Sequence, residues 1–331
     1  MITAGIDVGT KDSCVIVMKN DKIVEFFKTN DLRRDLNDLI EFLRIYSPKA
    51  IGCGFGYGLP VKRLSDVDER DLKYMTLSFD KPLMGVRRLI NALKEEFGNI
   101  SFTIPSVKLL PTVPHYRKFN RIDMGTSDKV CSTALAITKL RERGVKFKEQ
   151  NFVLVEGGYG FNAFVAVKEG KIVDGSGGTS GFISFSSSGA LDAEIVTLLK
   201  DYPKDMIFRG GLKDFLKCEI DSIPRERLNW IFEYILKGIK VMEVSIGKDY
   251  IVILSGRFFD SYYNEFVEYS GLKCLKLESV KASAEGACII ANGLINGIYR
   301  DVVEHLELKK AKGNVLDYIA EDLRNLFKYD I

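Results

Sequence analysis

This chain matches itself, and that match restricts its possible folds more than any other feature. Residues 5–25, GIDVGTKDSCVIVMKNDKIVE, align without a gap on residues 154–174, LVEGGYGFNAFVAVKEGKIVD, at an offset of 149 residues. Asp7 falls on Glu156, Gly9 on Gly158, and Lys22, Ile23 and Val24 on Lys171, Ile172 and Val173. Acid, glycine, apolar run and turn recur in the same order, so the fold has to accommodate two copies of one unit. Each copy reads as an antiparallel meander. A strand ends in an acid and a glycine, a tight turn follows, and a second strand runs over 14–18 or 161–167. The turns Lys19-Asn20-Asp21 and Lys168-Glu169-Gly170 suit a hairpin into a third strand.

Helix and strand patterns then alternate in both halves. In the first, Leu32, Leu36, Leu39, Ile40 and Leu43 lie at helical spacing. A strand at 50–54, a helix through Val86, Leu89, Ile90, Leu93 and Phe97, a strand at 100–104 and a helix at 127–143 come next. In the second half, helices at 190–199 and 225–242 precede a strand at 250–254, a helix at 258–269, a strand at 272–275 and a helix at 282–294. Three strands followed by alternating helices and strands, twice over, predict an α/β protein with two mixed sheets flanked by helices. The expected domains are 1–148 and 149–331, and 331 residues suffice for two cores. Leu316, Ile319, Leu323, Leu326 and Phe327 predict a C-terminal amphipathic helix packed on its own domain.

Composition narrows the partners. A formal charge of +3 with 28% charged residues gives no electrostatic reason to expect nucleic acid or a membrane surface. No apolar run approaches the ~20 residues of a membrane span. MITAGIDVGT lacks the basic-then-apolar pattern of a signal peptide, so a cytoplasmic protein is expected. The six cysteines, Cys14, Cys53, Cys131, Cys218, Cys274 and Cys288, form no CxxC, and the only histidines are His115 and His305. Zinc and iron–sulfur spacing is therefore absent, and buried reduced thiols are expected.

The glycine-bent turns carry the chemistry. Asp7, at a strand end, is placed to hold a hydrated Mg2+. Gly9 lets the backbone approach a phosphate, with main-chain N–H groups and the side chains of Thr10, Lys11 and Ser13 as donors. Gly157 and Gly158 repeat the arrangement, and two facing turns could grip a polyphosphate from both sides. Residues 158–163 fit the glycine pattern of dinucleotide folds, but a strand follows where that fold needs a helix. No P-loop and no protein-kinase signature occurs.

Four further segments qualify. In VILSGRFFD, 252–260, Gly256 leaves room for a ring or ribose ahead of a helix N-terminus. The loop GSGGTSGF, 175–182, with Gly178, reads either as lining for an acceptor or γ-phosphate or as a mobile surface loop. Residues 114–123 gather His115, Arg117, Lys118 and Arg121, which suits an anion or a transferring phosphoryl group; a solvated basic loop is the other reading. In MGTSDKVCSTALAI, 124–137, Thr126 or Ser127 is expected to cap a helix with Asp128 and Lys129 in its first turn. Ala284, Gly286 and Ala287 predict tight helix packing.

GIDVGT, EGGYG and LSGRF resemble the first phosphate, second phosphate and adenosine motifs of the acetate and sugar kinase/Hsp70/actin (ASKHA) superfamily. GTSDK resembles the connecting segment of acetate and butyrate kinases, and most of the chain is similar to an archaeal family labelled predicted butyrate kinase. The resemblance implies duplicated ribonuclease H-like (actin-like ATPase) domains with an interdomain cleft that holds ATP and Mg2+. It implies Asp7 as the metal-organising acid, Thr10 and Lys11 on the β- and γ-phosphates, Gly157 and Gly158 in the second clamp, and Gly256 and Arg257 beside the adenosine. The chain departs from the pattern at Glu156, where aspartate is common, and at Met124, beside which acetate kinases carry a histidine.

The expected activity is ATP- and Mg-dependent phosphoryl transfer to a small-molecule acceptor, such as the short-chain carboxylate butyrate. The alternative is a nucleotide-gated regulatory ATPase without an acceptor. Asp128 or Asp123 would orient or deprotonate an acceptor hydroxyl, and Arg121 would stabilise transferring charge. A carboxylate acceptor is ionised at neutral pH and needs no base. A homodimer is left open.

Overall fold

The structure, a computed structural model, describes residues 1–9, 12–32, 34–78 and 84–329. The first repeat runs β1 (Ile2–Val8), β2 (Ser13–Lys19), β3 (Lys22–Thr29), α1 (Leu36–Tyr46), β4 (Ile51–Gly54), α2 (Glu69–Thr76), α3 (Met84–Phe97), β5 (Ser101–Thr103), α4 (His115–Lys118) and α5 (Ser127–Glu142). The second begins with β6 (Phe152–Gly157), β7 (Asn162–Lys168), β8 (Lys171–Ser176), α6 (Ala193–Leu198), α7 (Leu212–Leu216) and α8 (Leu228–Ile246). It continues through β9 (Ile251–Ser255), α9 (Arg257–Ser270), β10 (Cys274–Lys276), α10 (Ala282–Leu294), α11 (Arg300–His305) and α12 (Glu321–Arg324). The sheet orders are β3-β2-β1-β4-β5 and β8-β7-β6-β9-β10, one topology used twice. In each, three antiparallel strands are extended by two parallel ones. This is the mixed-sheet α/β architecture that the repeat predicts.

The duplication holds residue by residue. Asp7 lies opposite Cys14 as Glu156 lies opposite Ala163. The β-bulge between Val17 and Met18 recurs between Ala166 and Val167. Asn20 and Glu169 both take left-handed backbone, with φ of 58° and 51°, at the next turn. A bulge adds one residue to one strand and re-aims the strand beyond it, so its recurrence at the same offset is a feature inherited with the unit.

Period-two alternation explains why β2 is buried on both sides. Val15 and Val17 join the core with Leu39, Ile40 and Leu43 of α1 and Leu89, Ile90 and Leu93 of α3. Cys14, Ile16 and Met18 point the other way, onto Ala284 and Cys288 of α10. On the α10 side the neighbouring strands carry Gly5 and Gly52. A Cβ on Gly5 would lie 2.1 Å from the Ala284 carbonyl oxygen, and one on Gly52 2.2 Å from that of Ala287. The helix backbone therefore rests directly on the sheet. Gly286 does the same towards α5, where a Cβ would lie 1.8 Å from the Cys131 carbonyl oxygen. Tight packing, expected from the small residues of this helix, is what they provide.

Two compact units result. One comprises 1–122, 126–146 and 279–331; the other comprises 123–125 and 147–278. The repeat boundary at 148/149 marks the duplication in sequence, whereas α10 and everything after it packs with the first unit. The second unit has its own core of Val153, Val155, Phe164 and Ala166 under α8 and α9, filled by Phe232, Phe258, Phe259 and Phe266.

The C-terminal tail differs from the expectation. Only Glu321–Arg324 is helical among its described residues. Val315 and Leu316 are buried in the first unit's core, with Ile319 and Phe327 packed against it, while Leu326 is 80% exposed. The apolar residues are spent on packing an irregular segment, which leaves no continuous helical stripe. No helix of the described residues is long and apolar enough to cross a membrane.

Candidate functional site

The site of the first unit is built at the carboxyl end of β1. Asp7 is 3% exposed, and the paired residue on the adjacent parallel strand β4 is Gly54. Ends of parallel strands are where open α/β sheets bind ligands. The chain turns back at once into β2, and the turn is closed by the Gly9 N–H donating to the Asp12 carbonyl at 2.9 Å. In the second unit the Gly158 N–H donates to the Phe161 carbonyl, also at 2.9 Å, one turn beyond Glu156. Gly9 and Gly158 therefore spend their N–H groups inside the turns. In the structure these two N–H groups close and shape the turns. Thr10 and Lys11, expected on the phosphates, lie outside the described residues.

A buried carboxylate needs a compensating charge. For Asp7 it comes from Lys281, the residue that precedes α10. The Lys281 ammonium lies 3.4 Å from Asp7 Oδ2 and 2.7 Å from Asp12 Oδ1. It also lies 3.3 Å from where a Cβ on Gly9 would stand, so it sits over the turn. The backbone of Val280, just before it, is held from both sides. The Val280 N–H donates to Glu285 Oε1 at 2.6 Å, and Lys28 Nζ donates to the Val280 carbonyl at 3.3 Å. Burial pushes the Glu285 carboxyl up, against the opposing hydrogen bonds from the Val280 and Lys281 backbone.

Asp128, at the start of α5, belongs to the same unit. Its Oδ1 accepts from the Thr126 hydroxyl and its Oδ2 from Lys129 Nζ. Burial pushes its carboxyl up, but the Lys129 charge and hydrogen bond, the Thr126 hydroxyl and the Lys281 charge together hold it below the usual carboxylate range. A carboxylate so stabilised is a weak base. The Thr126 hydroxyl, expected to cap α5, is used here instead, and the Gly56 carbonyl receives the Ser127 N–H and hydroxyl.

Other expected residues have structural employment. Gly256 has φ of 95°, and a Cβ on it would stand 2.5 Å from the Gly157 carbonyl oxygen. On the side where a Cβ would point, the protein's own backbone fills the space. Gly157 in turn has no space for a side chain because the Phe259 ring would be 2.9 Å from its Cβ. Arg257 pairs with Asp221 at 2.7 Å on the surface. Gly178 lies under Phe161, 2.3 Å from a built Cβ.

Asp123 is enclosed by the glycine-rich loop. Its carboxylate accepts from the Gly125 N–H, the Thr179 N–H and the Thr179 hydroxyl, and its carbonyl from the Gly177 N–H and the Ser180 hydroxyl. The reading of 175–182 as mobile is thereby replaced by a loop folded around one carboxylate. The basic cluster at 114–123 is partly structural. Lys118 Nζ donates to the Leu110 carbonyl, and Lys108 Nζ donates to the carbonyls of Arg121 and Val315. Burial pulls the Lys108 ammonium down to about 8. His115 stacks on Tyr318 with ring centroids 5.3 Å apart.

Sequence reading missed Lys281 and Asp12. The available signal was a single lysine at the entrance of a helix made mostly of small and apolar residues. The cysteines are free, with Cys14, Cys53, Cys131 and Cys288 buried. Burial pushes the Cys14 thiol up to about 12 and holds Cys53 and Cys288 well above the ordinary thiol range. Among the described residues no three His, Cys, Asp or Glu side chains come together as a metal-ligand set. Asp7 and Asp12, both beside the Lys281 ammonium, are carboxylates that could hold a metal ion of the kind that takes one or two protein ligands.

Solved structures share this architecture. An acetate kinase from Entamoeba histolytica is similar with a TM-score of 0.59 at 13% identity, over 86% of this chain and 97% of that one. An acetate kinase from Porphyromonas gingivalis is similar with a TM-score of 0.57 at 13% identity, over 82% and 88% of the two chains. At such identity the likeness is one of fold alone. No curated protein matches the sequence. A family model described as a protein of unknown function, DUF1464, matches residues 5–321, so the chain belongs to the DUF1464 family.

Proposed function

We propose that this protein binds ATP with Mg2+ and transfers the γ-phosphoryl group to a small acceptor, a short-chain carboxylate such as butyrate. One observation carries the reading: a glycine turn of one geometry follows an acid on the central strand in both units, closed by Gly9–Asp12 in the first and Gly158–Phe161 in the second. A glycine turn beside an acid is a feature that suits a phosphate group. Bound Mg2+ would supply charge neutralisation at the phosphates, and Asp7 with Asp12 would hold it. Lys281 and Lys129 add two cations to the same unit, as phosphoryl transfer requires.

The state of Asp128 favours a carboxylate acceptor. Paired to Lys129 and ionised, it is poorly suited to take a proton from an alcohol, and a carboxylate has none to give. Binding is tested by calorimetry with ATP and Mg2+. The reaction is tested by ADP release with and without acetate, propionate, butyrate, glycerol and hexoses. Stimulation by one acid, lost in Asp7→Asn, is the expected result. Asp128→Asn is expected to spare that stimulation. ATP turnover indifferent to every acceptor would replace this reading with a regulatory ATPase, and no binding of adenine nucleotide would end both.

A further inference from the structure

Lys281 sits over the Asp7 turn. The ammonium is 3.4 Å from Asp7 and 2.7 Å from Asp12, and its charge also reaches Asp128. It comes from an element remote in sequence, and the backbone of the preceding residue, Val280, is held by Glu285 and Lys28. Its side chain is 27% exposed and that of Asp7 is 4% exposed. The cation therefore screens the carboxylate from solvent as well as neutralising it. A divalent ion arriving alone would have to displace the lysine from both carboxylates and then sit beside its charge. Like charges within a few ångströms are strongly unfavourable at an effective dielectric near 20. A metal carried by a triphosphate brings its own anionic oxygens, which accept hydrogen bonds from the displaced ammonium.

We propose that Lys281 makes the Asp7 turn selective for a metal–triphosphate complex and closes it to free divalent metal. The proposal rests on the phosphate reading of that turn, and it assigns Lys281 as a specificity-determining residue. In the nucleotide complex its ammonium turns from Asp7 and Asp12 to the phosphate oxygens. Charge-assisted hydrogen bonds of this kind are among the stronger ones.

The test is Mn2+ binding to nucleotide-free protein, followed by electron paramagnetic resonance. Wild type is expected to show no saturable site below millimolar Mn2+. Lys281→Gln is expected to gain one site per chain, at least tenfold tighter, and Asp7→Asn in the Lys281→Gln background should lose it. Lys281→Arg keeps the charge and should keep the site closed. Calorimetry with Mn2+–ATP should show about tenfold or greater weakening in Lys281→Gln. Thermal melts of all variants report that they are folded. Equal Mn2+ binding by wild type and Lys281→Gln, at any affinity, overturns the proposal. So does undiminished Mn2+–ATP affinity in Lys281→Gln. If no variant binds ATP, the kinase reading fails by itself, and the free-metal comparison still decides the role of Lys281.

Discussion

Replacing Gly286 by alanine sets two effects of opposite sign against each other. Gly286 lies inside α10, where alanine is favoured over glycine by about 1 kcal/mol. From helix propensity alone the substitution stabilises. The crossing with α5 says otherwise, because the new methyl would lie 1.8 Å from the Cys131 carbonyl oxygen and 2.3 Å from its carbon. Ordinary carbon–oxygen approach is about 3.3 Å, so the two backbones have to separate by about 1.5 Å. Neither obstacle is a flexible side chain that could swing away. Overpacking of this kind costs ~1–3 kcal/mol and belongs at the upper end where backbone meets backbone. After the propensity gain we expect a net loss of about 2 kcal/mol. At about 2–4 °C per kcal/mol for domains of this size, the melting temperature should fall by about 4–8 °C. Circular dichroism melts of wild type and Gly286→Ala measure it. A melting temperature unchanged or raised would refute the direct backbone contact between α5 and α10.

Three other perturbations probe the rest of the site. Gly256→Ala combines a φ of 95° with a Cβ 2.5 Å from the Gly157 carbonyl oxygen, so denaturant unfolding should show a loss of at least ~2 kcal/mol; a loss under ~0.5 kcal/mol would mean the turn readily rearranges. Asp123→Ala removes the acceptor for the Gly125 N–H, the Thr179 N–H and the Thr179 hydroxyl and should cost ~1–3 kcal/mol, with faster amide exchange confined to 177–181; unchanged exchange there would show that the carboxylate does not hold the loop. Lys108 titrates at about 8 when folded and at the ordinary 10.5 when unfolded. Between those values the folded chain binds fewer protons, so the stability that Lys108 contributes rises with pH across the window. The stability of wild type relative to Lys108→Met should therefore climb from pH 8 to pH 10, by at most about 1.4 kcal/mol per pH unit. A flat difference would mean that the ammonium stays charged in place.

Much of the fold is legible in the sequence. Hairpin register depends on residues close in the chain, and the match between 5–25 and 154–174 carries that register, the bulge and the left-handed turn residues from one unit to the other. The alternating faces of β2 and the apolar spacing of α1 and α3 are equally local. The tail escapes such reading because its apolar residues bury against an irregular segment, and spacing alone does not distinguish that from a helical stripe. What approaches Gly256 and Gly178 is likewise not legible in sequence; the structure brings the Gly157 backbone to the first and the Phe161 side chain to the second.

The repeated unit, its acid and its glycine turn are written in the residue order, since short-range periodicity and turn chemistry suffice to specify them. Two facts needed the folded chain. Lys281 comes to Asp7 from the entrance of a helix more than two hundred and seventy residues away, and Asp128 is held ionised by its neighbours. Charge compensation is a property of distance in space. It becomes visible only when the chain has folded α10 onto the sheet that carries the acid.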